Sequence, residues 1–183
     1  MNSTTIMISL FPIVFVIHEL EEILMLEKWK SGKVEMLSHR YPAIARMVSA
    51  MSRRGFALIA AEETVLTLAA TAIALYGGWQ AGWYALCMGA GVHLLVHIGQ
   101  CVILRSYALG SLTAIITLPY YITALIHTSS EYTPTEIICI GLCGCAVVVI
   151  NLIAMHSTMR RMGGGYKIKF RQNQISPEPL FFQ

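Results

Sequence analysis

Five continuous apolar runs constrain this chain more than any other feature: residues 6–26, 56–76, 83–104, 112–127 and 137–155. About 20 apolar residues suffice to cross the hydrocarbon core of a bilayer as a helix. The runs are continuous rather than alternating, and a membrane barrel needs more segments, so strands are not expected. Composition agrees. The chain is 56% hydrophobic and 13% charged, about half the roughly 25% charge of a soluble domain. With 183 residues it lacks the volume to bury so much apolar surface, which excludes a water-soluble globule. Disorder over most of the length and a disulfide-built secreted scaffold are excluded with it. The expected fold is all-α: a polytopic membrane helical bundle of five transmembrane helices, one domain over residues 1–161, multi-pass in the cell membrane.

The basic residues set an orientation. All thirteen Lys and Arg lie in three places: between runs one and two (seven, from Lys28 to Arg54), after run three (Arg105), and after run five (five, from Arg160 to Arg171). The positive-inside rule then puts the N-terminus outside and the C-terminus in the cytoplasm, and an even number of crossings would break the pattern. The net charge of +3 therefore reflects topology and attraction to membrane lipid, and no nucleic-acid partner is expected. Run one lacks a basic n-region and a small-residue cleavage site, so it is expected to be a retained helix. Between runs one and two, Ile44, Met47, Val48 and Met51 recur at helical spacing beside Arg46, Arg53 and Arg54. This predicts an interfacial amphipathic segment over about 43–54, a membrane-hugging connector with a substrate lid as the alternative. Gly163, Gly164 and Gly165 are expected to end helical order. Residues 162–183 then form a flexible cytoplasmic tail, whose last residues, Leu180-Phe181-Phe182-Gln183, resemble the remnant of a tag-cleavage site. No internal repeat is evident, which argues mildly against an inverted-repeat transporter.

Ionisable groups inside the runs each call for a reason, since every one costs several kcal/mol in hydrocarbon. Run one holds His18, Glu19, Glu21 and Glu22, run two Glu62 and Glu63, run three His93 and His97: five carboxylates and three imidazoles, with no Lys or Arg. His18, Glu21 and Glu22 stand at i, i+3 and i+4 on one helical face, as do His93 and His97 at i and i+4. Glu19 is about 100° from His18 and free to point elsewhere. Glu63 continues through Thr67 and Thr71 as a polar stripe.

Depth strengthens the pattern. His18 lies ten residues from Lys28, Glu63 nine from Arg54, His97 eight from Arg105 and Asn151 nine from Arg160. At about 1.5 Å per residue all four sit about 12–15 Å inward of their basic anchors. Carboxylates gathered there without a cation would repel one another, whereas a divalent metal needs these ligand types. The expected ligands are His18, Glu22, Glu63 and His97, with His93 joining them; Glu21, Glu62 and His93 would complete a second metal site, or Glu21 and Glu62 serve as catalytic acid–base groups. One or two divalent ions (Zn, Fe or Mn) would activate water for hydrolysis of a lipid or other amphiphilic substrate. A di-iron-type oxidase or hydroxylase uses the same ligand types. A proton-coupled transporter and a Glu/His intramembrane hydrolase without metal remain as alternatives, and a homo-oligomer is compatible with all of them.

The string His18-x-x-Glu21-Glu22 on a membrane helix resembles the HXXEE family of small integral membrane proteins, which is generally suspected of enzymatic activity and has no established reaction. The resemblance covers roughly runs one to four and implies that His18, Glu21 and Glu22 are the eponymous residues. It makes His97, ahead of Arg105-Ser106-Tyr107, the family's second histidine. The family's asparagine, expected four residues earlier, is replaced here by His93, or its role falls to Asn151. Tyr107-Ala108-Leu109-Gly110 stands where Tyr-x-Pro-Gly is expected. Cys87, Cys101, Cys139, Cys143 and Cys145 read as small packing residues, and Gly89, Gly91, Gly141 and Gly144 as sites of close helix packing.

Overall fold

The computed structural model describes residues 2–172. The first helix, α1, runs unbroken from Ser3 to Arg40. Its start is fixed by Asn2, whose side chain accepts the Thr5 N–H at 2.8 Å, satisfying one of the unpaired donors of the first turn. It does not stop at the edge of the apolar run. Residues beyond 26 are mostly polar helix formers, with a Glu27–Lys30 pair at 2.9 Å, and neither a Pro nor a capping Gly ends them. The stop comes at Tyr41, which leaves the helical region at φ −141°, ψ 69°, since the following proline disfavours the helical conformation at the residue before it.

Pro42–Ala50 forms α2, which folds back on the extension of α1 and buries Ala45 and Val48 against Leu37. Ile44 and Met47, on its other face, stay exposed. The predicted amphipathic segment is thus helical, but Met51, extended at ψ 135°, ends it. Ser52 then caps the next helix by accepting the Gly55 N–H at 3.2 Å. That helix, α3, spans Arg53–Tyr76, and α4 spans Gln80–Leu104. After the left-handed residues Arg105 and Gly110, α5 covers Ser111–Thr128, followed by a short 3₁₀ turn and α6 over Pro134–Gln172.

The helix boundary expected at Gly163–Gly165 is therefore absent, because α6 continues through them to Gln172. Glycine costs about 1 kcal/mol in a helix interior and does not by itself end one. The tag-remnant reading of residues 180–183 lies outside the described residues.

Five helices are long and apolar enough to cross a membrane, and among the described residues there is no strand. The predicted all-α, five-span architecture is what the chain adopts. The centre of the bundle is α4, which packs on α3, α5 and α6, while α1 packs on α2, α3 and α5. α4 and α6 approach backbone to backbone: a Cβ at Gly144 would collide with the Ala85 carbonyl, and one at Gly89 would meet the Gly144 carbonyl at 2.8 Å. Small residues permit this contact where lipid provides no hydrophobic drive between helices. Away from the basic residues the core is aromatic, with Phe11 edge-on to Trp83 at 5.9 Å and to Tyr121 at 6.0 Å. The outward positions carry Leu24, Ile126, Ile150 and other exposed apolar side chains, as a lipid-facing surface requires.

Candidate metal centre

The site is built on one stripe of α1. Phe11, Phe15, His18, Glu19, Glu22 and Leu26 are all buried, recurring every three or four residues and so facing the bundle interior. His18 and Glu22, one turn apart, are directed at α4, where His93 and His97 are also one turn apart. Ligand-capable atoms of His18, Glu22, His93 and His97 all lie within 4.8 Å of one another. His97 Nε2 is 3.1 Å from Glu22 Oε1 and 2.8 Å from His93 Nε2. The His18 ring centroid is 5.0 Å from that of His97 and 5.9 Å from that of His93.

What holds the imidazoles is the α4–α5 loop. His97 Nδ1 sits 2.7 Å from the Leu109 carbonyl, which can only accept, so the proton is on Nδ1 and the Nε2 lone pair faces the cluster. His18 Nδ1 lies 3.0 Å from Thr113 Oγ1 on the first turn of α5. Its Nε2 is buried without a hydrogen-bond partner, and an orphaned polar atom in that position is costly. Metal-bound histidines are commonly fixed in this way, through the nitrogen that does not bind. Gly110 makes the approach possible. At φ +75° it is left-handed, and a Cβ there would run into the Glu22 carboxylate and come within 3.0 Å of His18 Cε1.

Glu21 takes a different part. Gly110, the N-cap of α5, has no side chain to cap the helix. The Glu21 carboxylate does so from α1, accepting the Thr113 N–H at 2.6 Å and the Leu112 N–H at 3.4 Å. It also accepts from the Thr113 hydroxyl and the Tyr107 hydroxyl. A carboxylate on unpaired N–H groups at a helix N-terminus is favoured by both hydrogen bonding and the helix dipole. Burial and the bond to Glu21 hold the Tyr107 hydroxyl above its ordinary range, so it stays a donor.

Of the predicted site residues, His18, Glu22, His93 and His97 come together. Glu62 and Glu63 are held instead by one amide: Asn151 Nδ2 on α6 donates to Glu62 Oε2 and to Glu63 Oε1, each at 3.1 Å. Glu63 and Asn151 line a cleft that also reaches His93. Glu19, given no place by the sequence reading, is buried within electrostatic range of Glu22 and Glu63. The signal was available, since Glu19 follows Phe15 by four and precedes Leu26 by seven, on the buried stripe.

Two imidazoles with their lone pairs directed inward, a third within contact distance and a carboxylate make an N/O donor set that fits zinc, iron or manganese. A family model described as "Protein of unknown function with HXXEE motif" matches residues 9–124, more than half of the chain. The match takes in all four clustered residues and the loop that positions them, and leaves α6 with Asn151 outside. No curated protein and no solved structure matches.

Proposed function

We propose that this chain, which belongs to the HXXEE-motif family, is a metal-dependent integral membrane enzyme that hydrolyses a lipid or other amphiphile. The observation that carries this reading is the buried, partnerless His18 Nε2 converging with Glu22, His93 and His97. A ring nitrogen buried among three other donor groups and hydrogen-bonded to none of them has a physical reason if a cation takes it. The donor set supports one divalent ion rather than two, because Glu62 and Glu63 lie outside the one cluster of four found among the described residues. A bound ion would supply a Lewis acid and lower the pKa of an attached water toward neutrality. That favours hydrolysis over di-iron oxidation.

The chain's own groups divide the remaining work. His18 and His97 hold their inward lone pairs through Thr113 and Leu109. Glu21 is occupied by its donors from α5 and Tyr107, so it positions rather than reacts. Glu62 and Glu63 are the carboxylates left for proton transfer, with Glu63 sharing the cleft with His93. With the basic end of the bundle taken as cytoplasmic, the centre lies in the inner half of the cell membrane.

Elemental analysis of detergent-purified protein tests the reading. Wild type should carry about one zinc, iron or manganese per chain, and His18→Ala and His97→Ala a small fraction of that, since each removes a ligand. Equal, near-zero metal in all three would overturn it in favour of a proton-relaying polar network.

A further inference from the structure

The candidate centre is closed at the basic end of the bundle. The loop from Arg105 to Gly110 lies across it with Ala108 and Leu109 buried. Outward, Trp29 Nε1 donates to the Tyr107 carbonyl at 3.2 Å and Lys33 Nζ to Ser106 Oγ at 2.9 Å. Inward, the loop is held by the bonds of His97 to Leu109 and of Tyr107 to Glu21. Toward the other end, Phe11, Trp83 and Tyr121 fill the core. An opening remains on one side. Between α3 and α6 runs a cleft with Phe11, Phe15 and Ala90 at its back and Leu66 and Val147 at its rim. The back is buried, whereas Leu66 is 40% and Val147 50% exposed. The mouth thus lies in the surface that faces acyl chains.

The walls select the occupant. Apolar side chains line the cleft except at Glu63, Thr67, His93 and Asn151. Glu63 lies beside Glu62 on the Asn151 amide, and the apolar runs carry no Lys or Arg. A phosphate head would meet Glu62 and Glu63 with no Lys or Arg beside them. Even the divalent ion of the proposed function, already faced by Glu22, would set two positive charges against three carboxylates, a net repulsion that low dielectric magnifies. An amide or hydroxyl head can donate to the Glu63 carboxylate and to the Asn151 Oδ1, the Asn151 Nδ2 being taken by the two glutamates. We propose that this cleft takes, directly from the bilayer, a hydrocarbon chain of a lipid with an uncharged hydrogen-bonding head that can donate, and brings that head toward His93. This names the substrate class for the metal-enzyme reading and rests on that reading for its chemistry, though not for the lateral entry.

The test uses the full chain in lipid nanodiscs, photolabelled with N-palmitoyl ethanolamide bearing a mid-chain diazirine, with metal content measured on the same samples. Labelled residues should map to Phe11, Leu66 and Val147. Filling the back with Ala90→Phe or blocking the rim with Val147→Trp should cut labelling about tenfold or more, the scale of a lost fit in an apolar pocket. Ile115→Trp, on the lipid-facing side of α5 where Ile115 is 57% exposed, should leave it unchanged. Val147→Trp alters an exposed side chain, so its result stands even if Ala90→Phe misfolds. A palmitoyl lysophosphatidate carrying the same diazirine should label the cleft far less. Labels spread evenly over lipid-facing residues and insensitive to both variants would overturn the lateral site. Equal labelling by the phosphate probe would overturn the head assignment. Cleft labelling in metal-free protein would sink the enzyme reading and support the entry route, whereas bound metal without cleft labelling would do the reverse.

Discussion

Gly110 and Gly78 offer a paired experiment, because both are left-handed and only one touches the candidate centre. Their φ angles are +75° and +72°. Alanine at either position must adopt a conformation that costs an L-residue about 1–2 kcal/mol. A Cβ at Gly78 meets nothing within 4 Å, whereas one at Gly110 would strike the Glu22 carboxylate and come within 3.0 Å of His18 Cε1. Glu22 is the flexible partner, so it should swing away. If packing holds it still, overpacking adds about 1–3 kcal/mol. The swing withdraws Glu22 Oε1 from His97 Nε2, now 3.1 Å away, and displacing this proposed ligand should cost at least the roughly 10–100-fold in metal affinity that losing a ligand's support typically costs. Both variants should therefore lose about 1–2 kcal/mol of stability in detergent from backbone strain. Gly110→Ala alone should weaken zinc binding, read by competition with a chromogenic chelator. Zinc affinity in Gly110→Ala within about twofold of wild type would refute the reasoning, since that is far below the loss expected on disturbing a ligand.

Further substitutions probe the surrounding framework. Glu21→Gln should lower thermal stability by about 1.5–3 kcal/mol, the range for hydrogen bonds to a charged group, while retaining more metal than Glu22→Gln; equal metal loss in the two would place Glu21 among the ligands. Thr113→Val removes the partner of His18 Nδ1 and a donor to Glu21, so zinc affinity should fall about 10–100-fold, and an unchanged dissociation constant would remove Thr113 from its supporting role. Gly144→Ala places a Cβ against the Ala85 carbonyl and should cost about 1–3 kcal/mol by forcing α4 and α6 apart. Gly32→Ala, whose Cβ would meet nothing within 4 Å, should instead be neutral or stabilising by up to about 1 kcal/mol in the same thermal assay.

Hydropathy located the five helices long and apolar enough to cross a membrane, because lipid demands length and apolarity, and it located nothing outside those runs. The extension of α1 to Arg40 and its pairing with α2 depend on helix propensity and the Tyr41–Pro42 stop, to which a hydropathy reading is blind. Depth counting put His18, His97, Glu63 and Asn151 in one layer. It could not tell that Asn151 would bind both glutamates on α3, because rotation about a helix axis is set by packing. The same limit explains Glu19 and Glu21. A helical face drawn through His18, Glu21 and Glu22 alone admits several rotations, and the apolar stripe through Phe11, Phe15 and Leu26 selects the one that turns Glu19 inward. The Leu109 contact was not legible at all, since a loop carries no periodicity and its carbonyls are the same in every sequence, and the Thr113 contact depends on how α5 is rotated against α1.

The motif divides into two mechanical parts that share one loop. His18 and Glu22 face the cluster, while Glu21 turns toward α5 and ties down the helix whose Thr113 orients His18. The loop before that helix supplies the Leu109 carbonyl that fixes the His97 tautomer, and it has room to do so because Gly110 has no side chain. Losing the Glu21 clamp would therefore loosen both histidines through elements that never touch a ligand atom of the motif itself. That is a physical reason for a second glutamate beside the first: alone, Glu22 would provide charge at the centre, but the imidazoles would lack the rigid framework on which preorganised binding depends.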